Sequence, residues 1–347
     1  MSQRYGHSYL VRMPILDVRS PSEYAKGHAP GAVSMPLFSD EERAVVGTCY
    51  KEKGQAEAIR LGLYLVGPKM ANLVEQADQH AAQGPLEVYC WRGGMRSQSV
   101  TWLLETAGHS VQRWDGGYKA YRGRVLDTWC ADHPWVVLSG LTGSGKTEIL
   151  RHMAPMANVL DMEGLAHHKG SAFGHVGELA QPTNEQFEND GAQAIAALKP
   201  QHPWWIEDES RSIGRIWLQH GFFERKKEAP LVLAHRSREN RLDHLVHLYG
   251  QASKEDLAAV FPKIAKRLGY QNAQWAVDAV LAGDLRSAAD LALQYYDRTY
   301  SESMAKRQDH ILAEVDVTDC TFEEAAEKIL RDTKKPLHAW IQQRAQP

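Results

Sequence analysis

Two short loops carry most of the chemistry that this chain could perform. The first, Cys90-Trp91-Arg92-Gly93-Gly94-Met95-Arg96-Ser97, puts a thiol at the head of a turn rich in glycine and arginine. The thiolate is the nucleophilic form of cysteine, and nearby positive charge or converging backbone N–H groups favour it. Arg92 and Arg96 supply charge. Gly93 and Gly94 allow close backbone approach, and a helix opening at Ser97 turns its positive end the same way. The pattern suits a catalytic Cys90 with Arg92, Gly93, Gly94 and Arg96 binding an anion. The plainer reading is a buried cysteine at a strand end, and the paired glycines and flanking arginines weigh against it.

The second loop, Gly140-Leu141-Thr142-Gly143-Ser144-Gly145-Lys146-Thr147, fits G-x-x-x-x-G-K-[ST] at every position. Backbone amides from Gly140 through Thr142, Gly143, Ser144 and Gly145 can wrap a diphosphate, Lys146 adds a point charge, and the Thr147 hydroxyl can reach Mg2+. Glu207-Asp208-Glu209, after Trp204-Trp205-Ile206, and Asp161, after Val159-Leu160, are the candidate acids to support that metal. The motif recognises phosphate, not adenine. No guanine-reading N-K-x-D element accompanies it, which argues against a GTPase.

The elements around these loops must be strands and helices in alternation. Ile15–Arg19 reads as a short buried strand, and Ser20-Pro21 starts a helix with a cap and a first-turn proline. Helices are expected over Gln55–Val66 and Lys69–Ala82, strands over Leu86–Tyr89 and Val111–Trp114. Cys90 then falls at the carboxyl end of a strand, where parallel α/β sheets collect reactive groups. Further strands are expected at Trp135–Ser139, Asn158–Asp161, Trp204–Ile206, Leu231–Ala234 and His310–Val317. A helix should begin at Lys146, a wholly helical stretch should run over 253–306, and a helix over Thr321–Arg331, with a polar tail fraying beyond Lys334. This gives two α/β domains, 1–128 and 133–347, the second with a helical segment.

Composition bounds the reading. The 347 residues, 43% hydrophobic and 24% charged, suit two globular domains. The N-terminus, Met1 to His7, lacks a secretory apolar run, and no segment is long and apolar enough to span a bilayer, so a cytoplasmic location without membrane contact is expected. The 4 cysteines (Cys49, Cys90, Cys130, Cys320) are scattered without C-x-x-C spacing, against a disulfide framework or zinc knuckle. A net charge of -3 means that any nucleic-acid contact needs a local basic face.

Asp17-Val18-Arg19, Glu23-Tyr24 and Gly27-His28-Ala29-Pro30-Gly31-Ala32, with the Cys90 loop, resemble rhodanese domains. Together with the second loop, Asp161-Met162-Glu163-Gly164-Leu165-Ala166-His167-His168-Lys169-Gly170-Ser171 and Glu207-Asp208-Glu209-Ser210-Arg211, the chain resembles the tRNA 2-selenouridine synthase family from Leu16 to about Leu330. That resemblance implies a tRNA partner carrying wobble 2-thiouridine, S-geranylation from geranyl diphosphate, and exchange of sulfur for selenium from selenophosphate. It implies selenophosphate at the Cys90 loop and the prenyl diphosphate at the Lys146 loop. Trp91, Arg236, Arg238 and Arg241 are then candidate tRNA contacts. His167 and His168 have no third ligand at metal-binding spacing.

Two other readings stand beside it. Seven residues from Cys90 to Arg96 are closer to a cysteine phosphatase loop than to the six of many rhodaneses, so a phosphatase-like domain fused to a nucleotide-binding module is one. A nucleotide-gated sulfur-carrier or tRNA-binding protein without chemistry of its own is the other.

Overall fold

The structure is a computed structural model that describes residues 13–81 and 84–344. The N-terminal segment Met1–His7 and Ala82 lie outside the described residues. The chain divides into two compact units, one running to Asp127 with Glu188–Asp190, the other comprising Thr128–Phe187 and Gly191 onward.

The first unit contains β1 (Ile15–Asp17), α1 (Pro21–Lys26), β2 (Ala32–Ser34), α2 (Asp40–Lys53), α3 (Gln55–Val66), α4 (Met70–Ala81), β3 (Leu86–Tyr89), α5 (Met95–Thr106), β4 (Val111–Arg113) and most of α6 (Gly117–Cys130). Its four strands form a parallel sheet in the order β2-β1-β3-β4. Leu16, Val18, Leu86, Val88, Val100 and Leu104 are fully or almost fully buried and pack the sheet against its helices. The Asp17-Val18-Arg19 signature is an internal brace. Arg19 Nη2 lies 2.6 Å from Asp17 Oδ2 and donates to Gly27 O at 2.7 Å, while Tyr89 OH donates to Asp17 at 2.7 Å. A buried guanidinium needs such partners, and here they tie β1, β3 and the Gly27 turn together.

The second unit contains β5 (Trp135–Ser139), α7 (Lys146–Met153), β6 (Asn158–Leu160), α8 (Met162–Ala166), α9 (Asn184–Ala196), β7 (Trp204–Glu207), β8 (Ser212–Ile213), β9 (Ile216–Trp217), α10 (His220–Glu228), β10 (Leu231–His235), α11 (Arg238–Tyr249), α12 (Lys254–Ala258), α13 (Phe261–Leu268), α14 (Tyr270–Ala282), α15 (Leu285–Ala305), β11 (Ile311–Asp316) and α16 (Phe322–Arg344). Five parallel strands run in the order β11-β10-β5-β7-β6, so β5 is central and its carboxyl end delivers the phosphate loop. β8 and β9 form a separate antiparallel hairpin.

The stretch expected to be wholly helical is four helices. Gly269 and Gly283, both at positive φ, break it where side chains would be strained. The polar tail does not fray at Lys334. α16 continues to Arg344 through Pro336, because Leu337 and Trp340 pack on the sheet core and offset the bond that proline removes. Helix α2 was not expected, since none of its residues is buried and no apolar stripe marks it. Its signal was the cap, a box formed by Ser39 and Glu42.

Candidate active site

The thiol site begins where β3 ends. Cys90 is buried, and its Sγ lies 3.2 Å from Ser97 Oγ and 3.8 Å from Gly94 O. Helix α5 starts at Met95, two residues before the expected Ser97, with Gly94 as its N-cap. Arg96 and Ser97 therefore belong to its first turn, and the free helix N–H groups rise beside the sulfur. Among the described residues, the N–H groups of Arg92 to Ser97 donate to no backbone acceptor. Gly93 is held at φ +66, and a Cβ there would meet Trp114 O at 2.8 Å. Gly94 has open space around it and serves as the cap. The turn thus gathers the buried thiol and a run of backbone N–H groups within a few residues.

The two arginines divide. Arg92 is exposed and forms no ion pair among the described residues. Arg96 donates to Glu23 at 2.7 Å, a half-buried pair. Burial opposes ionisation of Glu23, but the Arg96 hydrogen bond and charge, the Ser20 N–H and Arg43 outweigh it and hold the carboxyl below its ordinary value. The charge of Arg96 is thus already shared with a carboxylate. Trp91 is half-buried and packs against Tyr118, ring centroids 5.9 Å apart, as part of an aromatic cluster with Tyr89 and Trp114.

The phosphate site follows β5. Gly140 to Gly145 form the loop and α7 begins at Lys146, as the motif requires. Gly143 is at φ +81, and a Cβ there would press on Arg241 O at 2.9 Å. Lys146 Nζ spans the loop to Gly140 O at 2.8 Å and lies 5.3 Å from the Tyr300 ring centroid. Ser144 is fully buried, and its hydroxyl has no hydrogen-bond partner among the described residues.

The acids around this loop are arranged differently from the sequence expectation. Asp161 is the N-cap of α8, accepting from Gly164 N at 2.6 Å, and pairs with Arg151 at 3.3 Å. Glu163, two residues on, is the carboxylate that meets the loop: Thr147 Oγ1 donates to its Oε2 at 2.5 Å. Glu207 is fully buried behind the site, where it accepts from Met162 N at 3.1 Å. Asp208 accepts from Ser139 at 2.7 Å and is held by Lys226 at 3.2 Å and Arg307 at 2.8 Å. Asp208 also lines the cavity described below, together with Glu163 and Glu209. Glu209 belongs to the expected acidic run, whereas Glu163 emerges from the geometry; the available signal was its place two residues after Asp161.

Burial first, and neighbouring charge second, shifts these groups. Desolvation, then the neighbouring charge of Glu163, pushes Glu209 up to about 8 despite Lys146 and Lys226. Desolvation also raises Glu163, against the pull of Thr147 and Lys146, and raises Glu207 further. Asp208 goes the other way: burial opposes its charge, but Lys226, Arg307 and Ser139 win.

A cavity of about 510 Å3 opens from the phosphate loop. One end is polar, with Lys146, Thr147, Glu163, Glu209 and Lys226. The rest is apolar, built from Phe173, Leu245 and Tyr249 and from the helices α12 to α15 through Leu257, Phe261, Val280, Leu285, Ala288 and Leu293. Phe173 and Phe261 meet edge to face at 5.0 Å. Such a long apolar compartment is larger and drier than a phosphate alone needs.

The candidate tRNA arginines are engaged elsewhere. Arg241 is buried, paired with Asp297 at 2.8 Å and donating to Thr142 O at 3.0 Å, so it braces the phosphate loop from inside the domain. Arg238 pairs with Asp290 and Asp297. Arg236 donates to Cys320 O at 2.9 Å and covers the Phe322 ring at 4.6 Å. Their charge is spent on α15, α16 and the loop before it, a cost that a sequence cluster does not reveal. His168 is buried, wedged beside Gly174 and Gly214, and no group of three or more metal-ligating His, Cys, Asp or Glu side chains occurs among the described residues.

Two family models match, a rhodanese-like domain over residues 6–124 and the tRNA 2-selenouridine synthase AAA domain over residues 133–329. The latter alone spans more than half of the chain. The chain belongs to the tRNA 2-selenouridine synthase family. It is 36% identical to the tRNA 2-selenouridine synthase of Aeromonas salmonicida, covering 88% of this chain and 91% of that protein. It is 37% identical to that of Bordetella petrii, covering 90% and 92%, and 42% identical to that of Cupriavidus necator, covering 73% and 69%. Membership of this family accounts for the pairing of a thiol loop and a phosphate loop in one chain. Among the described residues no helix is long and apolar enough to cross a membrane.

Proposed function

We propose that the chain is a tRNA-modifying transferase that S-geranylates wobble 2-thiouridine with geranyl diphosphate and then replaces the sulfur by selenium from selenophosphate. The observation that carries the reading is the cavity: its polar end is the phosphate loop, and its length is hydrocarbon. A prenyl diphosphate has the same division. Lys146 and the loop amides take the diphosphate, and the apolar helices take the C10 chain.

In the first reaction the thiocarbonyl sulfur attacks C1 of the geranyl group and the C1–O bond breaks. Diphosphate leaves with the electron pair, and the N3 proton of the base is released. Negative charge grows on the departing diphosphate, so donors already aimed at it lower the barrier. In the second reaction the selenium of selenophosphate adds at C2, the C2–S bond breaks and geranylthiol leaves with the electron pair and a proton, since a thioether departs more readily than the original thiocarbonyl sulfur. Water then cleaves the P–Se bond, releasing phosphate and leaving selenium on C2. Cys90 positions the selenium donor against the base. The amide concavity, with Arg92 and a partly neutralised Arg96, receives the tetrahedral phosphate oxyanion.

Thr147 and Glu163 have the oxygen donors that Mg2+ prefers. Mg2+, where bound, would neutralise charge on the diphosphate and take its remaining ligands from the substrate and water. The test is to incubate the protein with thiolated tRNA and geranyl diphosphate, with and without selenophosphate, and weigh the digested nucleosides. A geranylated thiouridine without selenophosphate and a selenouridine with it are expected. Cys90-dependent hydrolysis of an aryl phosphate with unchanged nucleosides would favour a phosphatase. Tight ATP binding with no mass change would favour a non-catalytic carrier.

A further inference from the structure

The β8–β9 hairpin presents a large aromatic ring to solvent beside the cavity. Trp217, the last residue of β9, is 59% exposed. Single exposed apolar residues are ordinary, so exposure alone says little. Three further features distinguish this one.

First, its backbone is clamped. Asn184 accepts from Trp217 N at 2.9 Å and donates to Trp217 O at 2.6 Å. Gln181 donates to Ile213 O at 2.9 Å and accepts from Arg215 N at 2.8 Å. Ile213 and Ile216 are buried beneath. The ring therefore stands on a fixed base and loses little freedom when it is covered. Second, the Arg211 guanidinium lies over the ring, 6.0 Å from its centroid, and Arg211 with Ser210 lines the cavity while remaining exposed, which puts the hairpin at the cavity mouth. Third, Arg211 and Arg215 are exposed and form no ion pair among the described residues, in contrast to Arg236, Arg238 and Arg241.

We propose that this hairpin is a base-stacking platform for single-stranded RNA: Trp217 takes the face of an unstacked anticodon-loop base, and Arg211 and Arg215 take the adjoining phosphates. An aromatic ring flanked by exposed arginines is the combination that holds RNA loops, because every base has a π-face and every linkage a negative charge. The platform would bring the reacting base to the opening through which the prenyl diphosphate is reached. It rests on the reading that thiolated tRNA is the substrate.

The test measures binding of an anticodon stem-loop RNA bearing wobble 2-thiouridine at several salt concentrations, and binding of geranyl diphosphate, for the full chain and its variants. Trp217→Ala should weaken RNA binding about tenfold, Trp217→Phe should stay within about threefold of wild type, and neither should change geranyl diphosphate affinity. Arg215→Ala should lower the slope of log affinity against log salt by about one. RNA affinity unchanged in Trp217→Ala, or reduced equally in Trp217→Phe, overturns the platform while leaving the transferase reading intact. A wild-type chain that does not bind the stem-loop overturns both. Loss of self-association in Trp217→Ala with RNA binding unchanged would give the surface to a second copy of the chain.

Discussion

Thr147 and Glu163 are joined by a 2.5 Å hydrogen bond that links the last residue of the phosphate loop to the first turn of α8. The bond puts a carboxylate within reach of any cation bound at Thr147, a place that the sequence assigns more readily to Asp161. Glu163→Gln keeps a hydrogen-bond acceptor and removes the charge. It should retain the melting temperature within a few degrees while lowering geranyl transfer about tenfold or more and flattening its dependence on Mg2+ concentration. Unaltered Mg2+ dependence in steady-state assays would remove Glu163 from the phosphate site.

The cavity makes a prediction that separates its two ends. Ala288 on α15 is buried and lines the apolar compartment. Ala288→Phe should occupy chain space and weaken geranyl diphosphate binding about tenfold, with inorganic diphosphate bound as before. Calorimetric titration of both ligands reads this, and Leu257→Ala, which enlarges the compartment, serves as the complementary variant. Equal loss for both ligands in the two variants would mean that the hydrocarbon end does not hold the chain.

The thiol makes another. Cys90→Ala should abolish selenouridine formation and leave geranylation within about twofold of wild type. Ser97→Ala removes the hydroxyl 3.2 Å from the sulfur and should slow selenation without stopping it. Nucleoside mass analysis after timed incubation distinguishes these outcomes, and selenation at the wild-type rate by the alanine variant would assign the chemistry elsewhere.

Glu209 ties stability to pH. Its carboxyl holds a proton up to about 8 in the folded chain, against an ordinary value of 4.5. Between those values the native state binds more protons than the unfolded state, so this group's contribution falls as pH rises through the window. Glu209→Gln should flatten the fall in melting temperature over that range. A variant with the wild-type profile would place the raised proton affinity on another member of the Glu163, Glu207 and Glu209 group.

How far these features were legible in the sequence follows from how local they are. The phosphate loop and the Cys90 loop are contiguous, and each needs only its own strand and helix, so both appear at the expected strand ends. Glu163 against Asp161 is a choice between positions two apart, decided by which one caps α8. The arginine cluster at Arg236, Arg238 and Arg241 reads as a basic face because the partners lie fifty or more residues away, Asp290 and Asp297 for Arg238 and Arg241 and the Cys320 carbonyl for Arg236. The cavity was not legible at all. Phe261, Val280 and Ala288 have the spacing of ordinary helix-packing residues, and only the assembled helices leave space between them. Trp217 has no linear signature either, since its exposure depends on the Asn184 and Gln181 clamps.

In the proposed function one pocket grips diphosphate at Lys146 and hydrocarbon beyond it. Calorimetric titration of geranyl diphosphate and of ATP into the wild-type chain and Lys146→Ala tests it most directly. Micromolar or tighter binding of geranyl diphosphate is expected, at least about tenfold weaker in Lys146→Ala, with ATP bound more weakly than the prenyl ligand. Tight ATP binding with no measurable affinity for geranyl diphosphate would contradict it.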